Sequence, residues 1–237
     1  MKNSRRSKQR LDQLLTSLGY ASRSESKKLI ASGVVTVDGK CITQPDFKAF
    51  HHDVAFKGEP LDSCEGMVIV MNKPLGVVCS HDDGEGRLVY SLLPPRWQQR
   101  NPKISTIGRL DKETSGLLLL TDDGQLLHRL TSPKYHIPKL YEVTLARSLN
   151  GNETDIFATG NLMLNGEKNP CLPAKLTIID DTHVTLEITE GRYHQVRRMF
   201  AAVGNHVVSL HRSCIGNLTL GDLKFGEYRM VSQDELS

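Results

Sequence analysis

Long apolar runs are missing from this chain. No window approaches the about 18 consecutive apolar residues that a membrane-crossing helix requires, so no membrane partner is expected. The opening MKNSRRSKQR is not followed by an apolar stretch of the kind a secretory signal carries, and a cytoplasmic location is expected. Cysteine is scarce. Cys41, Cys64, Cys79, Cys171 and Cys214 are odd in number, widely spaced and without a CxxC pair, which argues against both disulfides and a structural zinc site. The signatures of several enzyme classes are missing too. There is no GxxxxGK[ST] or GxGxxG loop for nucleotides, no GxSxG elbow, and no HExxH pair among the nine histidines.

What is present begins with an uneven charge distribution. Residues 1–60 hold eleven Lys and Arg against six Asp and Glu, whereas the remaining 177 hold nineteen against twenty-one. The basicity is therefore N-terminal, as expected of an anion-binding module beside a near-neutral body. Residues 1–9, with Lys2, Arg5, Arg6 and Lys8, read as a basic tail.

Leu11, Leu14, Leu15 and Leu18 recur at helical spacing and end at Gly19. Ser22 and Glu25 then form an S-x-x-E capping box for a second helix running to about Ser32. Val34–Val37 followed by Asp38-Gly39 signals a β-hairpin. Helices this short need each other to persist, which leaves Arg10, Arg23, Lys27 and Lys28 on their outer side. Residues 10–55 thus form a small α/β domain, and 56–66 (FKGEPLDSCEG) read as a linker.

From 67 to 237 the pattern changes. Met67–Met71 and Leu117–Leu120 are continuous apolar runs suited to buried strands. Tyr141, Val143 and Leu145 alternate with polar residues, as do Val184, Leu186 and Ile188. Val196, Met199, Phe200 and Val203 mark a helix, and Val207–Leu210 a further strand. Strands and helices mix without regular βαβ alternation, so the expected class is α+β with a largely antiparallel mixed sheet.

Two segments carry more polar chemistry than packing requires. Gly108–Gly116 is a dense polar loop between buried runs, and loops on rigid scaffolds often carry function. Taken alone, it equally admits a structural Arg109–Asp111 ion pair with glycines serving turns. The second is Glu190–Met199, where Gln195 and Arg197 fall off the apolar stripe in the first helical turns, a place that favours anions. A solvated basic face is the alternative there.

At these residues a family becomes recognisable. GRLDKETSGLLLLT (108–121) resembles the catalytic motif of pseudouridine synthases that modify ribosomal RNA. NKPLGVV (72–78), KLYEV (139–143) and EGRYHQVRRM (190–199) resemble its companion motifs, in the same order. Residues 10–39 resemble the S4 RNA-binding module. The resemblance implies an enzyme that isomerises one uridine of 16S ribosomal RNA, as RNA or as a partly assembled small-subunit particle. A 23S rRNA target and a non-catalytic S4-type assembly factor are the alternatives. Pseudouridine formation adds and removes nothing, so neither cofactor nor metal is expected.

The resemblance also assigns roles. Asp111 is the catalytic carboxylate, with Arg197 as the cation expected beside it; relatives can carry Lys at position 197, which keeps the charge. Tyr141 is the active-site tyrosine. Arg109 is suited to fill the gap left by an extruded base. Gln195 and the Gly191-Arg192 turn are placed against the uracil edge or a phosphate, and Arg10, Arg23, Lys27 and Lys28 against the RNA backbone. A monomer is expected, since RNA must reach the cleft.

Overall fold

The computed structural model describes residues 7–64, 66–232 and 235, so Lys2, Arg5 and Arg6 of the expected tail lie outside the described residues. The chain forms two compact units. The first holds the described residues up to Val68 together with Tyr90–Ser105 and Leu120–Leu127; the second holds Ile69–Val89, Thr106–Leu119 and the chain from His128 onward.

The first unit starts with β1 (Gln9–Arg10) and α1 (Leu11–Ser17), followed by α2 (Arg23–Ala31). The leucine stripe is wholly buried, Leu11, Leu14, Leu15 and Leu18 being at most 3 % exposed. Each such burial contributes about 1.5–3 kcal/mol. Ser22 caps α2 as the spacing predicts: its hydroxyl accepts from the Glu25 amide, and the Glu25 carboxylate accepts from the Ser22 amide. β2 (Val35–Val37) and β3 (Lys40–Cys41) form the expected hairpin, with Asp38 and Gly39 both at positive φ, as a two-residue type I′ turn demands. β4 (Lys48–Ala49) pairs with β1.

The stretch from 56 onward departs from the linker reading. β5 (Val54–Phe56) and β6 (Glu59–Pro60) pair through a second tight turn at Lys57-Gly58, both at positive φ, and Leu61 joins the apolar core. Gly, Pro and charge mark tight hairpins as readily as open loops. Asp62 then accepts from the Arg96 guanidinium on both carboxylate oxygens and from the Trp97 indole. Arg100 and Asp122 form a buried ion pair at 2.7 Å, and Asp122 also accepts from the Gly66 and Met67 amides. These bonds tie segments 90–105 and 120–127 into the first unit.

The chain continues through β7 (Val68–Lys73), α3 (Pro95–Gln98), β8 (Ser105–Ile107), β9 (Ser115–Thr121), α4 (Gly124–Thr131), β10 (Lys139–Leu145) and α5 (Glu153–Ala158). It closes with β11 (Lys175–Ile178), β12 (His183–Ile188), α6 (Gln195–Ala202), β13 (Val207–Ile215), β14 (Leu218–Thr219) and β15 (Tyr228–Met230). The main sheet runs β11-β12-β10-β13-β9-β7-β15, with β14 on β13 and β8 on β9. β11–β12, β12–β10, β10–β13, β13–β14 and β7–β15 are antiparallel, while β13–β9 is parallel. This is an α+β fold on a largely antiparallel mixed sheet. The runs read as buried strands are β7 and β9, and every residue of both is buried. Among the described residues no helix is long and apolar enough to cross a membrane.

One register row fixes the centre of the second unit. Tyr141 on β10 faces Arg212 on β13, and Arg212 faces Gly116 on β9. Gly116 sits at φ +108, and a Cβ there would meet the Arg212 carbonyl at 2.2 Å. Only glycine lets β9 and β13 approach this closely. The loop ahead of Gly116 is thereby carried against the strand that bears Arg212.

Candidate active site

The polar loop Gly108–Thr114 leads into β9 and lines a cleft of about 980 Å3. Its conformation is set by bonds to its own backbone. Thr114 N–H donates to Asp111 O, and Gly76 N–H donates to Lys112 O. Lys73, fully buried at the end of β7, donates from Nζ to Asp111 O at 3.0 Å, Thr114 O at 2.8 Å and Pro74 O at 3.2 Å. Burial pushes the Lys73 ammonium down from its ordinary range, while Cys79, Asp111 and Glu113 oppose the fall. Lys73→Met should leave two loop carbonyls without their buried donor, each costing about 1–3 kcal/mol, partly offset by removing a buried charge. A loop displaced by an ångström should lower turnover about 100-fold. Urea unfolding and single-turnover assays of the variant check both; unchanged turnover would contradict the role.

Arg197 occupies another position than expected. No ion pair joins it to Asp111; it donates instead to Glu113 O at 2.8 Å and Val207 O at 3.1 Å. The expectation of a guanidinium paired with the carboxylate is therefore corrected: Arg197 holds the loop by its main chain. Lys73 and Arg197 together engage the carbonyls of residues 111, 113 and 114.

The residue beside the Asp111 carboxylate is His194, with Nε2 3.3 Å from Oδ1 and both side chains about a third exposed. His194 caps the N-terminus of α6 in the left-handed region (φ 48), and its ring stacks on exposed Tyr193 at 3.9 Å. His194 is not among the residues expected at the site from sequence. Its position three residues before Arg197 in a polar motif was the available signal.

Tyr141 also lines the cleft and is 8 % exposed. Its hydroxyl accepts from Arg212 Nη1 at 3.3 Å, and the Arg212 guanidinium lies 5.9 Å from its ring centre. Arg212 is buried, lines the cleft and was not singled out from sequence. Lys139, also in the lining, is pushed below its ordinary range by burial and by Arg212. Arg109 lies exposed at the rim, two residues before Asp111.

The other expected contacts differ. Gln195 is buried rather than off the apolar stripe: its amide group donates to Glu190 and its carbonyl accepts from the Arg192 backbone N–H. Arg192 is held by Glu190 and by the carbonyls of Asn169 and Pro170. Both side chains are engaged in fixing the turn before α6, because Glu190 and two loop carbonyls take up their donors. In the first unit Arg10 forms two parallel bonds to Asp12, whereas Arg23, Lys27 and Lys28 are exposed on α2.

A carboxylate on a braced loop, an aromatic ring and a buried guanidinium line one cleft. The family model of RNA pseudouridylate synthases matches residues 67–202, and that of the S4 domain matches residues 9–54. The chain belongs to the RNA pseudouridylate synthase family, and the protein is an RNA pseudouridine synthase with an N-terminal S4 domain. Among its relatives is the ribosomal small subunit pseudouridine synthase A of Escherichia coli (strain K12), 45 % identical over 233 residues, 96 % of this chain and 98 % of that one. The protein of the same name from Haemophilus influenzae is 44 % identical over 230 residues, covering 96 % and 97 %. A crystal structure of a pseudouridylate synthase, 43 % identical, superposes with a TM-score of 0.67 over 96 % of this chain and 98 % of that one.

Proposed function

We propose that this protein isomerises one specific uridine of 16S ribosomal RNA, with the Asp111 carboxylate as nucleophile, acting as a monomer in the cytoplasm on the RNA or on a partly assembled small-subunit particle. The observation that carries this reading is the disposition of Asp111. Its backbone is fixed by Lys73, while its carboxylate lines the cleft against a partly exposed imidazole that an entering ribose can displace. The likeness to small-subunit enzymes along nearly the whole chain supports the choice of RNA.

The chemistry follows from the groups present. Extruding the target nucleotide costs a few kcal/mol, and Arg109, exposed at the rim, fills the space it leaves. The uracil stacks on Tyr141, a contact worth about 1–3 kcal/mol. Asp111 meets C1′ as the bond to N1 breaks, the base turns, and C5 takes the place of N1. A hydrolytic glycosidase generally needs two carboxylates; one suffices here because the detached base is itself the next nucleophile. Arg23, Lys27 and Lys28 serve the RNA phosphates. Arg10, bound to Asp12, and Arg192 and Gln195, bound to Glu190, act by shaping the surfaces around them.

The test is tritium release from 5-tritiated uridine in 16S RNA, in 23S RNA and in partly assembled small subunits. One equivalent released from 16S RNA or its particle, and none from 23S RNA, is expected. Release from 23S RNA alone would overturn the assignment of substrate.

A further inference from the structure

The guanidinium of Arg212 has more donors than the protein uses. Nε donates to Leu117 O at 2.8 Å and Nη1 to the Tyr141 hydroxyl, but Nη2 is buried without any hydrogen-bond partner. A guanidinium carries five N–H donors in a rigid fork. An unmatched charged donor in a buried place is expensive, and it lies here in a residue that lines the reaction cleft and is 3 % exposed. The backbone of Arg212 is fixed, because β13 is paired on both sides and Gly116 lets β9 close against it, and Nε is tied to Leu117 O. Lys139 lines the same cleft, and both it and the buried Lys73 feel the charge of Arg212. Such an arrangement suits a ligand that becomes negative inside the cleft.

We propose that Arg212 is a catalytic residue whose free Nη2 donates to a ring carbonyl of the departing uracil, stabilising the uracil anion while its Nη1 bond orients Tyr141. This rests on the reading of the cleft as the site of uridine isomerisation. When C1′–N1 breaks, its electron pair leaves with the base and spreads over N1, O2 and O4, as the Asp111 carboxylate takes up C1′. The base turns, an electron pair at C5 forms the C1′–C5 bond, and the carboxylate is released. C5 then gives up its proton and N1 gains one, so atoms and charge balance. Negative charge on the carbonyl oxygens exists only between bond breaking and bond making. A donor that meets this charge acts on the barrier and not on ground-state binding.

The test compares uridine with 5-fluorouridine at the target position of 16S RNA, following consumption of the nucleoside in single-turnover reactions. Fluorine withdraws charge from the ring, so its anion needs less help. Arg212→Gln should slow uridine by about 100- to 1,000-fold, leave RNA affinity within about threefold, and slow 5-fluorouridine by at least about tenfold less. Should that variant fail to fold, Arg212→Lys, which keeps the charge but loses the second nitrogen, carries the same comparison. An equal loss for both nucleosides, or a uridine rate within threefold of wild type, overturns the proposal. Wild-type protein inert toward both would overturn the uridine chemistry itself, and this role with it.

Discussion

Asp111→Asn is expected to abolish pseudouridine formation, with a loss on the order of 10⁴-fold or more, while RNA affinity stays within about threefold. The substitution keeps size and shape. It leaves intact the bonds that hold the loop, since Lys73 and Arg197 grip the main-chain carbonyls of residues 111, 113 and 114 and not the carboxylate. An amide oxygen can stand where Oδ1 stands, 3.3 Å from His194 Nε2. What is lost is the negative charge, and with it the nucleophile proposed to meet C1′. Single-turnover tritium release and filter binding of the same RNA separate the two effects. Residual turnover within a hundredfold of wild type would place the essential carboxylate elsewhere.

The second large effect is on the fold. Gly116→Ala should destabilise the protein by about 3 kcal/mol or more, combining backbone strain of about 1–3 kcal/mol at positive φ with a comparable overpacking term. The new methyl would stand 2.2 Å from the Arg212 carbonyl and 2.6 Å from its amide nitrogen, so β9 and β13 must part. Both contacts are backbone atoms, and no side-chain rotation relieves them. The parallel pairing of Ser115 and Gly116 with His211 and Arg212 would loosen, carrying the Asp111 loop and the buried guanidinium out of register. Urea unfolding measures the effect. A change below about 1 kcal/mol would mean that the sheet yields without strain.

Local patterns in the chain foretold local structure. The leucine stripe of α1, the Ser22–Glu25 box, the Asp38-Gly39 turn and the buried β7 and β9 each depend on neighbours a few residues away, and each appears as read. The Lys57-Gly58 hairpin was missed because its composition also fits an open loop. Long-range arrangements left weaker marks. Nothing near Arg100 or Asp122 in the chain indicates that they pair, and with them segments 90–105 and 120–127 join the first unit. Gly116, a turn glycine only in the alternative reading of its loop, is a point of close strand approach whose partner lies 96 residues away.

The candidate site divides in the same manner. Motif order drew attention to Asp111, Tyr141 and Arg109, and all three line one cleft. The resemblance puts a cation of the 190–199 motif beside the carboxylate, whereas in the structure the backbone carbonyls of residues 113 and 207 claim the Arg197 guanidinium. Lys73 is legible in the sequence only as part of the NKPLGVV motif, since a lysine is seldom fully buried. Its three carbonyl acceptors explain how it stays there.

The central claim, that Asp111 of this chain makes a pseudouridine in small-subunit RNA, is tested most directly by mapping every pseudouridine of 16S and 23S RNA in cells lacking the protein. The cells are then supplied with either the wild-type chain or the Asp111→Asn variant. The account expects one 16S position to lose its pseudouridine and to regain it with the wild-type chain alone. Restoration by the variant, or a full set of 16S pseudouridines without the protein, would contradict it.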